Sequence, residues 1–459
     1  MTQQDERAKI NRRKFVKIGA GIVAVGAAAG AAYYLSQPGP TPAPTPTSAV
    51  TSPITSATPA PTTISFWMHE AVDQSKHYLE TVIPGFQTEN PHIKIAYQAI
   101  PESELHTKYI TAFATKTAPD VIGLYAHWAP ELWEMGVLEP LDPKVLGYDS
   151  VDALVDQYVS PFCLELYKMP DGNVYGLPWE VSNWCMYCNA DHYHEAGLEP
   201  PTSSPTWDEF HDYAKAMTKF EGGRMVRAGF QWWNLLLGHA NNYISILRQL
   251  GGDIYSADKS KCTLDSAEAV KALQIYVDTW KDVGGPEFGS PFPSEDFARG
   301  KVSMWQAGIW AIPQYVIYES KVNWHVVQYP HVKGGKRVSP YFTGGWFVNK
   351  QSQHKREAME FIRYCSERPK LWFSSQYFCN YTGRKGVAED PEVRKTAQGK
   401  WVDVFMDDLS YTRAPVVHVN AEELEAAIGR AVDRVVSKGT DPADSLKTAT
   451  DEIDRIIKG

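Results

Sequence analysis

The stretch Val174–Asn189, VYGLPWEVSNWCMYCN, limits the folds open to this chain more than any other. It gathers two Trp, two Tyr, two Cys and a Glu into one extended run, and Val, Trp and Tyr favour a pleated, half-buried backbone. Gly172 and Gly176 punctuate its start, and Pro178 keeps Leu177 out of the helical region. On either side the pattern reads as a separate α/β unit, so the run is expected to cross between two lobes. A crossing strand brings Trp179 and Glu180 to the seam where the lobes face each other, and such seams are favoured places for small-molecule sites. The competing reading is an ordinary core strand, with Trp179 and Trp184 as packing.

A chain of 459 residues is too long for one hydrophobic core. Its 15 Trp and 24 Tyr supply flat rings beyond ordinary need, suited to stacking on apolar ligand faces or to filling a large core. The net charge of −9 divides unevenly, because residues 1–35 hold six Lys or Arg against two acids, which leaves −13 on the rest. An acidic body is a poor partner for a phosphate backbone, which argues against nucleic acid as a partner.

Residues 1–35 read as an export signal or a membrane anchor. Arg12 and Arg13 precede an uncharged run, Ile18–Leu35, rich in Gly and Ala, a pattern similar to the twin-arginine signal except that Asn11 stands where Ser or Thr is usual. Cleavage and retention both fit a run of this length. Residues 36–62 are Pro, Thr, Ser and Ala without charge, which cannot bury enough surface to offset ordering and therefore read as a linker. A linker of this kind makes most sense if the apolar run stays in the bilayer and the folded body stands outside the cell or in the periplasm.

From Ile64 the pattern is strand, helix, strand, helix, strand, through Ile93–Tyr97 to Val121–Leu124, which is the signature of a parallel sheet. Ligands lie beyond the carboxyl ends of such strands, which marks His69 and Glu70 after the first and His127 and Trp128 after the third. The second half alternates too. Ala267–Lys281 carries Val270, Leu273, Val277 and Trp280 on one helical face, Val302–Gln306 reads as a strand with Trp310 just past it, and Tyr341–Val348 is a strand marked by Gly344 and Gly345. A last helix is expected from Pro442.

Six segments in this order resemble the extracellular solute-binding proteins of ABC importers, in the carbohydrate-binding group that includes maltose-binding protein. They are PGFQTENPHIKI (84–95), APDVIGLYAHWAPELWEMGVLEPLD (118–142), YGLPWEVSNWCMYCNADHYHEAGL (175–198), LDSAEAVKAL (264–273), FARGKVSMWQAGIW (297–310) and TGGWFVNKQSQHKREAMEFIRYCSE (343–367). The resemblance implies a two-lobe periplasmic-binding-protein-like α/β fold of type II with three interlobe crossings, near Glu180–Trp184, Thr343–Trp346 and Tyr381–Arg384. It divides the body into a first lobe (63–180, with a return at 344–381) and a second (181–343, with C-terminal helices over 382–459). It also implies a monomer without cofactor or metal, which captures a sugar or oligosaccharide by hinge closure and delivers it to a membrane permease.

Sugar chemistry then selects the site. A pyranose offers C–H faces to rings and hydroxyls that each need a partner once water is excluded. Trp128, Trp179, Trp310 and Trp346 are the stacking candidates, with Gly345 permitting close approach. Glu70, Glu180, Arg384 and His69 are the candidate hydroxyl partners. Trp67, Trp232 and Trp233 are assigned to packing, and Asp120 to fixing a turn.

Three competing signals remain. Cys185 and Cys188 with His192 and His194 imitate a zinc set, but residues three apart on a strand point to opposite faces. Export would permit disulfides; six cysteines allow 15 sets of pairs, among which Cys365 with Cys379 is a candidate that sequence alone does not fix. A glycoside hydrolase would need the same rings and carboxylates, arranged as two carboxyl groups across one bond.

Overall fold

The computed structural model describes residues 61–458 apart from Glu70, 234–235, 286–287, 289–292, 374–378 and Pro415. The expected export or anchor segment, nearly all of the linker, and Glu70 lie outside the described residues. Among those described, no helix is long and apolar enough to cross a membrane.

Two sheets organise the chain. β1 (Thr62–His69), β2 (Ile93–Ile100), β3 (Val121–Tyr125), β4 (Leu138–Glu139) and β5 (Gly176–Asn183) belong to the first. β6 (Cys185–Asn189), β7 (Lys219–Glu221), β8 (Arg224–Gln231), β9 (Val302–Ala307) and β10 (Trp324–Val327) form the second, in the order β10-β6-β9-β8-β7. β11 (Ser339–Asn349) and β12 (Thr412–Arg413) return to the first. There β2, β1 and β3 are parallel neighbours, and the long β11 runs antiparallel to β3 and β5. The result is a mixed α/β fold of two lobes.

Local chemistry explains the first sheet. β1 buries Ile64, Phe66 and Met68 in alternation, whereas the central β3 is buried at every position, as a strand covered on both faces must be. Asp120 fixes the entry to β3, accepting hydrogen bonds from the Ser65 backbone N–H (2.8 Å) and from Ser352 Oγ (2.6 Å). The register of β11 against β5 shifts between Gly344 and Gly345. Each glycine meets a ring: a Cβ on Gly344 would collide with the Trp179 indole, and one on Gly345 with Tyr167.

The second sheet separates two cores. Along β6, Cys185 and Tyr187 face the core shared with the first lobe, while Met186 and Cys188 face a second core. Helices Leu236–Gln249, Ala267–Asp278, Ala421–Lys438 and Pro442–Lys458 cover that second core. Ala421–Lys438 buries Leu424, Ala427, Ile428, Ala431, Val432 and Val435 at helical spacing and ends on Gly439, whose φ of 67° suits a glycine cap. The helix expected to reach Lys281 stops at Asp278, because Val283 must turn back so that its carbonyl can accept from Gly229 N–H (2.7 Å).

Only Trp184 separates the last residue of β5 in one sheet from the first residue of β6 in the other. Further on, the Val181 N–H donates to the Tyr381 carbonyl (2.6 Å), which lays 381–384 along the first sheet. The helix Val402–Leu409 then sets Phe405 against Tyr187 of the second, with ring centroids 6.4 Å apart. All six cysteines are buried free thiols, so the candidate Cys365–Cys379 bridge is absent, each residue being enclosed in packed core.

Candidate functional site

Glu180 is the chemical centre of the seam between the lobes. β5 carries it three residues before the strand ends at Asn183, and its carbonyl accepts from Thr343 Oγ1 (2.5 Å) of β11. The residue is 7% exposed. Oε2 lies 3.4 Å from Asn380 Nδ2, and Oε1 has no hydrogen-bond partner among the described residues. Burial drives the pKa from 4.5 to about 8, against the opposing pull of Ser182, Trp179 and Asn380. At neutral pH the group is therefore a carboxylic acid, able both to donate and to accept a hydrogen bond.

Rings surround it. Trp179 lies over Gly344, 5.8 Å from the His69 ring and 6.5 Å from Tyr125. Burial around the His69 ring lowers its pKa to about 4, so this imidazole is neutral. Across the seam, Gly308 closes the end of β9, where a Cβ would strike Ser182 Oγ of the first sheet and the Trp310 indole just past the second. Trp310 is half-buried, 5.7 Å from Trp233 and 6.2 Å from Trp305, and Trp233 in turn packs 4.8 Å from Trp184. Glu180, Trp179 and His69 thus gather on the first sheet, Trp179 being 0% exposed, and Trp310 comes to the seam from the second sheet at Gly308, beside Ser182. The half-buried Trp310 can cover a flat apolar face, and the Glu180 carboxyl can bond neutral hydroxyls.

Four other expected residues have different employment. Trp346 is corrected to a core residue: it is 0% exposed, donates from Nε1 to Tyr78 Oη (2.8 Å) and packs 5.2 Å from Trp372. Gly345 makes room for Tyr167. Arg384 donates to Tyr148 Oη (2.9 Å) and Ser366 Oγ (2.6 Å) and stands 4.8 Å above the Tyr158 ring, a web that ties the first lobe together. Trp128 is 5% exposed and donates to Glu422 Oε2 (2.7 Å) on the helix Ala421–Lys438. Asn380, which the sequence did not mark, lies against Glu180, and Trp233, which the sequence assigned to packing, lies against Trp310. Asn380 lies in no recognisable pattern, and Trp233 differs from its core neighbour Trp232, which stacks on Tyr276 at 4.6 Å, only in where β8 releases it. The zinc imitation dissolves into separate contacts: His192 Nδ1 meets Ser303 Oγ at 3.0 Å, and His194 lies 3.4 Å from Glu199.

Comparison with known proteins decides the family. The model of the bacterial extracellular solute-binding proteins matches residues 69–368. The chain belongs to that family. This solute-binding protein is 24% identical over 389 residues to a putative binding protein of Brucella abortus, an alignment covering 83% of this chain and 90% of the other. It is also 24% identical to an arabinooligosaccharide-binding protein of Halalkalibacterium halodurans, across 68% of this chain and 69% of that one. In fold it is similar to an ABC substrate-binding protein of Listeria monocytogenes solved with cycloalternan, with a TM-score of 0.75, 22% identity, and coverage of 87% and 99% of the two chains. An extracellular solute-binding protein is a carrier, so membership sets aside the hydrolase reading.

Proposed function

We propose that this solute-binding protein captures a neutral sugar or small oligosaccharide between its lobes and delivers it to the transmembrane subunits of an ABC permease. The observation that carries this reading is the enclosed Glu180 carboxyl at the seam, its Oε1 without a hydrogen-bond partner among the described residues, with the half-buried Trp310 on the side of the second sheet. A hydroxyl needs a partner that both gives and takes a hydrogen bond, and a sugar ring needs an aromatic platform; the seam supplies both. The relatives named for arabino-oligosaccharide and cycloalternan support the same class of ligand.

In this reading residues 63–180 and 344–381 form the first lobe, and 181–343 and 382–459 the second. The lobes close about crossings near 180–184, 343–346 and 381–384. The protein acts as a monomer, held at the outer face of the membrane by residues 1–35 through the linker 36–62. Extended Pro-rich chain spans about 3.1 Å per residue, enough for such a linker to let the body reach a neighbouring permease.

Calorimetric titration with a panel of neutral mono- and oligosaccharides, alongside sugar phosphates, tests the proposal. Saturable binding of a neutral sugar without product, weakened by Trp310→Ala, is the expected result. Preference for a phosphorylated ligand, or sustained glycoside turnover, would overturn it.

A further inference from the structure

Apart from Glu180 and its rings, the two lobes meet at a second polar contact. Trp128 and His127 follow β3 of the first lobe in a single 3-10 turn. Opposite them, the helix Ala421–Lys438 is anchored in the second core through Leu424, Ala427 and Ile428, and it presents Glu422 and Glu425. Trp128 Nε1 donates to Glu422 Oε2 at 2.7 Å. His127 Nε2 stands 3.9 Å from Glu422 Oε2 and 3.8 Å from Glu425 Oε2. Glu425 is 3% exposed, and neither of its carboxyl oxygens has a hydrogen-bond partner among the described residues. Ionising a carboxyl enclosed in this way is costly unless an opposite charge faces it, and His127 is the group that faces it from across the seam.

We propose that Glu422 and Glu425, gripping Trp128 and His127, form a latch that holds the lobes together and that releases as the medium turns alkaline. The inference rests on hinge closure as the working motion of the protein. It concerns residues outside the proposed sugar contacts.

The direction of the pH response follows from the groups that face His127. From its own lobe these are Glu102 beside Tyr125, and His106 with its partner Glu131 at 2.7 Å; from the other lobe they are Glu422 and Glu425, the latter next to Tyr255. Burial alone would lower the His127 pKa, but the charges of Glu425 and Glu422 more than offset it and raise it above 6.5. Burial lifts Glu425 to about 7, against the pull of His127, whereas His127 and Trp128 hold Glu422 down at about 2. A histidine raised in the joined state contributes below its ordinary pKa and loses that contribution as pH climbs through the raised value. Ionisation of Glu425 adds a second negative charge in the same range. The latch is therefore firm in mildly acidic medium and weak above neutrality, when the carboxylates no longer face a cation.

Distances between nitroxides placed at Thr107→Cys and Lys447→Cys in the full-length chain read closure without any sugar. Both positions are exposed, and the six native thiols are buried. Wild type should shift toward longer distances between about pH 6 and about pH 8.5. Glu422→Ala should raise the ratio of open to closed molecules about fivefold at the lower pH, as expected for loss of a partly exposed charged contact. Glu422→Gln combined with Glu425→Gln keeps an acceptor for Trp128 and should flatten the pH response. The double amide variant remains informative if the alanine variant fails to fold. Identical distance distributions in all variants at both pH values would overturn the latch. Failure to bind any sugar would leave this readout unaffected and would count only against the proposed ligand.

Discussion

Replacing Glu180 by Gln tests the central chemistry of the seam most directly. A carboxyl whose pKa rises from 4.5 to about 8 on folding favours its neutral form by about 5 kcal/mol. The raised value fixes the sign. The carboxyl's contribution to stability is complete below about pH 4.5, falls as pH climbs, and is lost by about pH 8, because above that point the folded protein must bury an ionised group. Glutamine keeps the shape and the capacity to donate and accept but has no charge to bury. The variant should therefore melt with wild type at about pH 4.5 and about 10 °C above it at about pH 9, at about 2 °C per kcal/mol for a body of this size. Differential scanning calorimetry of both proteins across this range reads the difference, in which every other titration cancels. Sugar affinity should be retained by the variant at neutral pH and, unlike that of wild type, should persist in alkali. A melting difference that stays constant with pH would refute the argument, since Glu180 would then titrate as an ordinary surface carboxyl.

Other perturbations separate packing from recognition. Trp346→Ala should cost about 3–5 kcal/mol of stability, because a sealed indole and its bond to Tyr78 are lost together, and sugar affinity of the folded fraction should change little; urea melts with parallel titrations check this. Gly344→Ala should displace Trp179 and weaken binding far more than its stability loss of about 1–3 kcal/mol would suggest, measured by titration and melting of the same sample. The six thiols should stay silent toward a thiol-reactive dye in the native protein and react when it unfolds, and reductant should leave the melting temperature unchanged.

Much of the architecture was legible because it rests on periodicity. The alternation in β1, the fully buried β3 and the terminal helix from Pro442 each carry their pattern within a few residues. The run around Trp179 and Glu180 was legible as extended backbone because Val, Trp and Tyr favour a pleated chain, and β5 and β6 occupy it. What sequence could not separate was Trp310 from Trp346. Both sit by a glycine at a strand, yet β11 is central and turns Trp346 into the first core, while Trp310 follows the free end of β9. Asn380 and Trp233 reach the site through pairings between distant segments, which leave no local trace. Trp128 was marked as a ring to stack on, but its indole N–H meets a carboxylate nearly three hundred residues away.

The passage from β5 to β6 through Trp184 alone has a mechanical consequence. A fully extended residue covers about 3.5 Å, less than the spacing of about 4.8 Å between adjacent strands, so this link has no slack with which one sheet could slide past the other. Relative translation is forbidden there and only rotation is left, concentrated in the few backbone torsions of Asn183, Trp184 and Cys185. Asn183 is itself pinned by Asp408 at 3.0 Å and by the Phe405 carbonyl at 3.1 Å, so the pivot is steadied by the same segment that spans both halves.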